Sequence, residues 1–201
     1  RAWFFRTWHL FTAGRYDEAM RSLERARELD PSPVTLSRIG SLHYFARHFD
    51  KADSVALSTL DAYPDTQLAQ LLRARVLAAR GQYDSALTVL PPDTIRLGSY
   101  EAGVAGYVYA RAGQREKAYA AARALKARTY VPAEGVAAIY AGLGELDSAF
   151  RYLNDAVASR GVGLIILAKE PMYDTLRADP QFEKILERIG LEGRGASPRR
   201  Q

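Results

Sequence analysis

The chain has 201 residues, 48% hydrophobic and 25% charged, with a formal net charge of +5 and no cysteine. That balance belongs to a folded chain, and it excludes general disorder, disulfides and thiolate metal sites. No apolar stretch approaches the ~18 residues that a membrane-crossing helix needs, the longest purely aliphatic run being Leu164 to Ala168. Much of the positive charge sits at the very end, where Arg194, Arg199 and Arg200 outweigh Glu192. The body is close to balanced, which argues against nucleic acid as a partner. There is no secretory leader pattern, and the chain starts at Arg1, inside an ordered pattern. We expect a processed or excised piece of a longer protein, suited to a cytosol or a periplasm.

The first informative stretch runs from Phe11 to Pro31, FTAGRYDEAMRSLERARELDP. Gly14 suits the left-handed conformation that ends a helix. Tyr16, Ala19, Leu23 and Ala26 then fall on one face of a second helix. Asp17 and Glu18 lie in its first turn, where the helix dipole favours acids. Pro31 stops it. The pattern recurs: Ala19, Ala52, Ala86, Ala118 and Ala149 are separated by 33, 34, 32 and 31 residues. Gly14, Gly81, Gly113 and Gly144 stand five before four of them, and Arg47 takes the turn in the second unit. A left-handed Arg there costs about 1–2 kcal/mol relative to Gly.

In chain order the pattern predicts first helices over 2–13, 34–46, 67–80, 99–112 and 132–142. Second helices are predicted over 17–29, 50–62, 84–90, 115–128 and 146–159. Five hairpins result, at 1–31, 33–64, 66–97, 99–130 and 131–159. No hairpin buries its apolar face alone, so neighbours must stack. Pro91-Pro92 cut the third second-helix short, and a loop to Gly98 is expected in its place. After Ser159 the pattern changes. Gly161 and Gly163 punctuate, Leu164 to Leu167 is apolar, and Pro171 breaks the chain again. Asp179 caps a last helix whose stripe is Phe182, Ile185, Leu186 and Ile189, with Gly190 at its end. Residues 160–191 are read as a cap over the last hairpin, and 192–201 as a disordered basic tail.

With Trp3 upstream, the first unit resembles the tetratricopeptide repeat: Trp3, Gly14, Tyr16, Ala19, Ala26 and Pro31 stand at that family's spacing. It departs at Arg6 and Thr7, where the family prefers Leu and Gly. The resemblance implies an all-α, right-handed α-solenoid of five helical hairpins with a C-terminal capping helix. The stretch from Val131 to Leu191 further resembles the closing segment of tetratricopeptide modules in multidomain bacterial signalling proteins. There the module follows a winged-helix DNA-binding domain, a serine/threonine kinase or a nucleotide cyclase. None of those effector domains lies in this sequence.

The resemblance also implies a concave face lined by the first helices, at positions 15, 11 and 8 before each recurring Ala. These are Phe4, Trp8 and Phe11; Ser37, Ser41 and Tyr44; Leu71, Arg75 and Ala78; Gly103, Tyr107 and Ala110; and Glu134, Ala138 and Ala141. No Lys or Asn stands among them, which argues against clamping a peptide's terminal carboxylate. Aromatic residues and Arg dominate binding hot spots. The expected contacts of a partner segment are therefore Phe4, Trp8, Phe11, Ser41, Tyr44, Leu71, Arg75 and Tyr107.

Chemistry is sparse. His43 and His48 are five apart, which places them on different helix faces, and no acid or thiol completes a metal set. There is no nucleophile elbow, phosphate loop or dinucleotide fingerprint. We expect no catalytic residues, no metal and no cofactor. The expected partner is a protein or peptide segment, with no small-molecule substrate, and a membrane-associated partner is compatible. The expected function is a non-catalytic scaffold within a larger bacterial assembly. A permanent structural subunit is the alternative, and a nucleic-acid-linked regulator the third reading.

Overall fold

The computed structural model describes residues 2–92, 94 and 98–191, with side chains from residue 6 onward. All regular structure among the described residues is helical. The chain divides into two compact units, Arg1–Pro91 and Pro92–Gln201, parted at the Pro91-Pro92 pair. The expected tail, 192–201, lies outside the described residues, as do 93 and 95–97 of the expected loop.

The first unit contains α1 (Ala2–Thr12), α2 (Tyr16–Leu29), α3 (Pro33–Phe45), α4 (Phe49–Ala62), α5 (Gln67–Ala79) and α6 (Tyr83–Val89). The second contains α7 (Ser99–Arg111), α8 (Arg115–Lys126), α9 (Ala133–Leu143), α10 (Leu146–Ala158) and α11 (Pro180–Arg188). Between α10 and α11 lie two 3₁₀ helices, Val162–Ile166 and Pro171–Leu176. The α-helices start and end within a residue or two of the bounds the repeat predicts. The two 3₁₀ helices were not legible as elements. In each unit consecutive helices pair, α1 with α2, α3 with α4 and α5 with α6, then α7 with α8 and α9 with α10. Alternate helices also touch, α3 with α5 and α7 with α9, so each unit is a stack of helical hairpins.

One backbone device makes every hairpin turn. Gly14, Gly81, Gly113 and Gly144 have φ of 78 to 80°, and Arg47 joins them at 67°. The next residue's N–H reaches back to a carbonyl inside the first helix: Arg15 to Leu10 at 2.9 Å, His48 to His43 at 2.9 Å and Glu145 to Tyr140 at 3.0 Å. This satisfies carbonyls that the helix end would leave unpaired. The same residue opens the second helix. Its carbonyl accepts the N–H of the recurring alanine, as in Arg15 to Ala19 at 3.0 Å and Glu145 to Ala149 at 3.0 Å. Turn and crossing point are thus locked together, which is why each recurring alanine stands five residues after its turn residue. Ala19, Ala52, Ala86, Ala118 and Ala149 are all fully buried, at 0% exposure.

In the second unit α7 and α9 approach through glycine. A Cβ on Gly103 would stand 2.9 Å from Gly135 Cα, and one on Gly106 would stand 2.4 Å from Ile139 Cδ1. At Gly103 backbone meets backbone, and at Gly106 the Ile139 side chain fills the space a Cβ would take. Beyond α10, α11 packs on α10, and both 3₁₀ helices pack on α9. Asp179 caps α11 by accepting from Gln181 N–H at 2.8 Å. The linker between the 3₁₀ helices is pinned by Arg177, which donates to Ala168 O at 2.9 Å and to Glu170 O at 3.1 Å.

Candidate functional site

In the first unit α1, α3 and α5 bring most of the expected contact residues together. Trp8 meets Phe45 edge-on at 5.3 Å between ring centroids and Phe11 at 6.1 Å. Tyr44 meets Phe45 at 5.3 Å. The Arg75 guanidinium lies 4.0 Å from the Tyr44 ring centre and 4.8 Å from that of Phe45, which delocalised cations favour. It also donates to Ser41 Oγ at 3.5 Å. Phe11, Tyr44, Leu71 and Arg75 are 4%, 1%, 5% and 5% exposed, so they form the floor of this face. Trp8 and Ser41 are half-buried and carry its surface. The Phe4 side chain lies outside the described residues. Phe45 was not singled out from the sequence, because it stands one position off the series taken for the concave face. Tyr107 belongs to the second unit, where it is 8% exposed and packs against Gly142.

The second unit holds a cavity of about 110 Å³ between α7, α9 and the 3₁₀ segment. Its walls include Gly103, Gly135, Ala138, Ile166 and Met172, with Val162 at the rim, 84% exposed. Two acids line it, Glu134 and Glu170, and no Lys or Arg does. Glu170 is 1% exposed and accepts from Tyr100 O–H at 2.8 Å and from Met172 N–H at 3.3 Å. Glu134 Oε1 accepts from Gly163 N–H at 3.1 Å. Glu134 Oε2 is buried and has no hydrogen-bond partner. The Tyr173 hydroxyl donates to Glu134 O at 2.6 Å. Burial, then the charges of Glu170 and Glu134, raise the Tyr173 phenol well above its ordinary value, so it stays a donor. Glu134 stood in the inner-face series. Glu170, Tyr100 and Tyr173 left no periodic signal, since two of the three lie beyond the last hairpin.

A third cluster revises the reading of the histidines. Tyr16 Oη lies 2.7 Å from His43 Nδ1 and 3.2 Å from His48 Nδ1. Helical spacing separates the two imidazoles, but the left-handed turn at Arg47 ends the helix between them and folds His48 back. His43 is held down at about 4 from 6.5, first by burial and then by the charges of His48 and Lys51. With His43 neutral, its Nδ1 can accept the Tyr16 hydroxyl, and the Tyr16 oxygen is then the acceptor that faces His48. Among the described residues no three His, Cys, Asp or Glu side chains gather as a metal-holding group.

No protein-family model and no curated protein matches the chain. Among solved structures it is similar to a thermophilic TPR protein of Thermus thermophilus, at 22% identity over 84% of this chain and 94% of that one, with a TM-score of 0.58. The fold is that of a tetratricopeptide repeat protein. A tetratricopeptide repeat protein from Parabacteroides merdae aligns over 98% of this chain and 80% of its own, at 14% identity and a TM-score of 0.45. At 22% identity the likeness to the Thermus protein speaks for the tetratricopeptide fold alone. No described helix is long and apolar enough to cross a membrane.

Proposed function

We propose that the chain is a non-catalytic interaction scaffold that holds a protein segment against the inner helices of its tetratricopeptide hairpins, within a larger bacterial assembly. The observation that carries this reading is the aromatic and guanidinium layer of α1, α3 and α5. Arg75 spread over Tyr44 and Phe45 makes a rigid floor. Trp8, packed edge-on to Phe45, stands half-exposed above it. Rigid aromatics backed by a core are what binding hot spots are made of. In this reading Trp8 and Ser41 touch the segment, while Phe11, Tyr44, Leu71 and Arg75 fix their positions. Phe4, whose side chain lies outside the described residues, stays an expected contact, and in this reading Tyr107 serves the inner face of the second unit. Residues 160–191 close the last of five repeats. The resemblance of Val131 to Leu191 to signalling modules motivates placing the chain in a regulatory assembly. Selection of peptides from a random display library tests the proposal. Enriched peptides should bind, and Trp8→Ala should weaken them by about 2 kcal/mol. A library that yields no binder, or binders indifferent to Trp8→Ala, would refute it.

A further inference from the structure

The cavity of the second unit is walled mostly by hydrocarbon. From α7 and α9 come Gly103, Gly135 and Ala138, and from the 3₁₀ segments Val162, Ile166 and Met172. The room is set by the backbone. Gly103 and Gly135 meet where α7 and α9 approach, a Cβ on Gly103 standing 2.9 Å from Gly135 Cα. No rotamer change at those two positions closes the space.

The polar groups beside this wall are engaged with one another. Tyr100 O–H and Met172 N–H both donate to Glu170. Tyr173 O–H donates to Glu134 O, and Gly163 N–H to Glu134 Oε1. Ser99 Oγ accepts from Arg128 at 2.9 Å. The remaining Glu134 oxygen, Oε2, is turned to Gly161, where a Cβ would meet it at 2.8 Å, and Gly161 is not part of the cavity wall. That oxygen is out of reach of a group inside the cavity. A charged or strongly polar ligand would lose its hydration here and gain no partner. An apolar group loses nothing and is removed from water.

Size narrows the class. The cavity volume is about 110 Å³. An apolar cavity of about 150 Å³ takes benzene, so this one suits a group of about four or five carbons. Val162, 84% exposed, marks the mouth. Ile165, 50% exposed, stands one 3₁₀ turn further along the same face.

We propose that this cavity binds an uncharged aliphatic group of about four or five carbons, seated between Ile166 and Met172 with any polar end left in water at Val162. A free small molecule and the leucine side chain of a bound peptide share this chemistry. The proposal concerns the second unit by itself. It does not rest on the reading of α1, α3 and α5, and would stand if that reading failed.

The test is methyl NMR of the full chain, following Met172 and Ile166. The probes are the linear alcohols propanol, butanol, pentanol and heptanol, then methoxyethanol, acetyl-leucine-amide and acetyl-alanine-amide. We expect the alcohols to shift both methyls saturably, with affinity rising about fourfold per methylene from propanol to pentanol. The rise should stop beyond pentanol, where the space is filled. Methoxyethanol, which is butanol with an ether oxygen in place of one methylene, should bind at least tenfold more weakly than butanol. Ala138→Leu, which fills part of the space, should weaken pentanol at least tenfold. Saturation by acetyl-leucine-amide but not acetyl-alanine-amide supports a side-chain ligand. Saturation by the alcohols alone supports a small-molecule ligand. An affinity independent of chain length, equal binding of methoxyethanol and butanol, unchanged pentanol affinity in Ala138→Leu, or no saturable shift with any probe overturns the proposal. The chain-length series and the ether comparison use the unaltered chain, so they decide even if the variant folds poorly.

Discussion

The hairpin turns offer a test in which the backbone acts alone. Gly144 has φ 78° and ψ 12°, and a Cβ built on it meets nothing within 4 Å. Gly144→Ala therefore changes no packing, and its whole effect is conformational. An L-residue in the left-handed region costs about 1–2 kcal/mol. Alanine also narrows the unfolded chain, which returns about 0.4–1 kcal/mol. The net expectation is a loss of about 0.8 kcal/mol, a fall in Tm of roughly 2–3 °C for a chain of this size. Arg47 holds the same turn at φ 67° with a side chain already in place. Arg47→Gly runs the substitution backwards, so the two variants should move stability in opposite directions. The gain should be smaller than the loss, because the half-buried Arg47 side chain gives up its own contacts. Urea melts of the parent and both variants measure this. A Gly144→Ala chain as stable as the parent, or an Arg47→Gly chain less stable than the parent, would refute the account of the turns.

Gly103→Ala should drive α7 and α9 apart, since its Cβ would stand 2.9 Å from Gly135 Cα; we expect a loss of about 1–3 kcal/mol in a urea melt. Ala86→Leu should overpack the crossing in the first unit, where Ala86 is 0% exposed, by a similar ~1–3 kcal/mol. An unchanged melting temperature in either case would remove that residue from a helix contact. His43 gives a pH signature. Its folded-state value near 4 lies below the unfolded 6.5, so the folded chain binds fewer protons. Its contribution is complete above pH 6.5 and is lost as pH falls toward 4. With the ring half-buried, that contribution is about 1 kcal/mol after discounting for solvent. Melts at pH 7 and 4.5 should show a smaller drop for His43→Gln than for the parent, and equal drops would count against it.

The fold was legible because its determinants are local and repeat. A left-handed turn residue, a helix-opening carbonyl and a small crossing residue all fall within six positions. Their spacing survives even where Arg47 replaces glycine. The termination of α6 by Pro91-Pro92 was legible for the same reason, a missing N–H and a ring clash. The histidine cluster was not, because helical periodicity misleads once the chain turns left-handed between two residues. Phe45 and Tyr44 are neighbours in sequence, yet Arg75 lies over both rings. A long side chain reaches past the register that a positional series assumes.

The carboxylate cavity shows why part of a site escapes the repeat. Glu134 stands 15 before the recurring alanine, a position that the resemblance to the tetratricopeptide repeat assigns to the inner face, and it lines the cavity. What lies against that face does not. A further regular hairpin would lay a helix there; this chain instead lays two 3₁₀ helices, Val162–Ile166 and Pro171–Leu176. Their tighter winding gives side chains that eclipse every third residue and do not mesh with the ridges of an α-helix. Gly103 and Gly135 add no side chains on the opposite wall, so the mismatch remains as space. Glu170 and Tyr173 then enter it from a segment with no counterpart earlier in the chain. The periodic residues set the position of one acid, and the break in periodicity supplies both the room around it and the second acid. A chain in which Gly161, Gly163 and Pro171 were replaced by helix formers should keep Glu134 and lose the cavity.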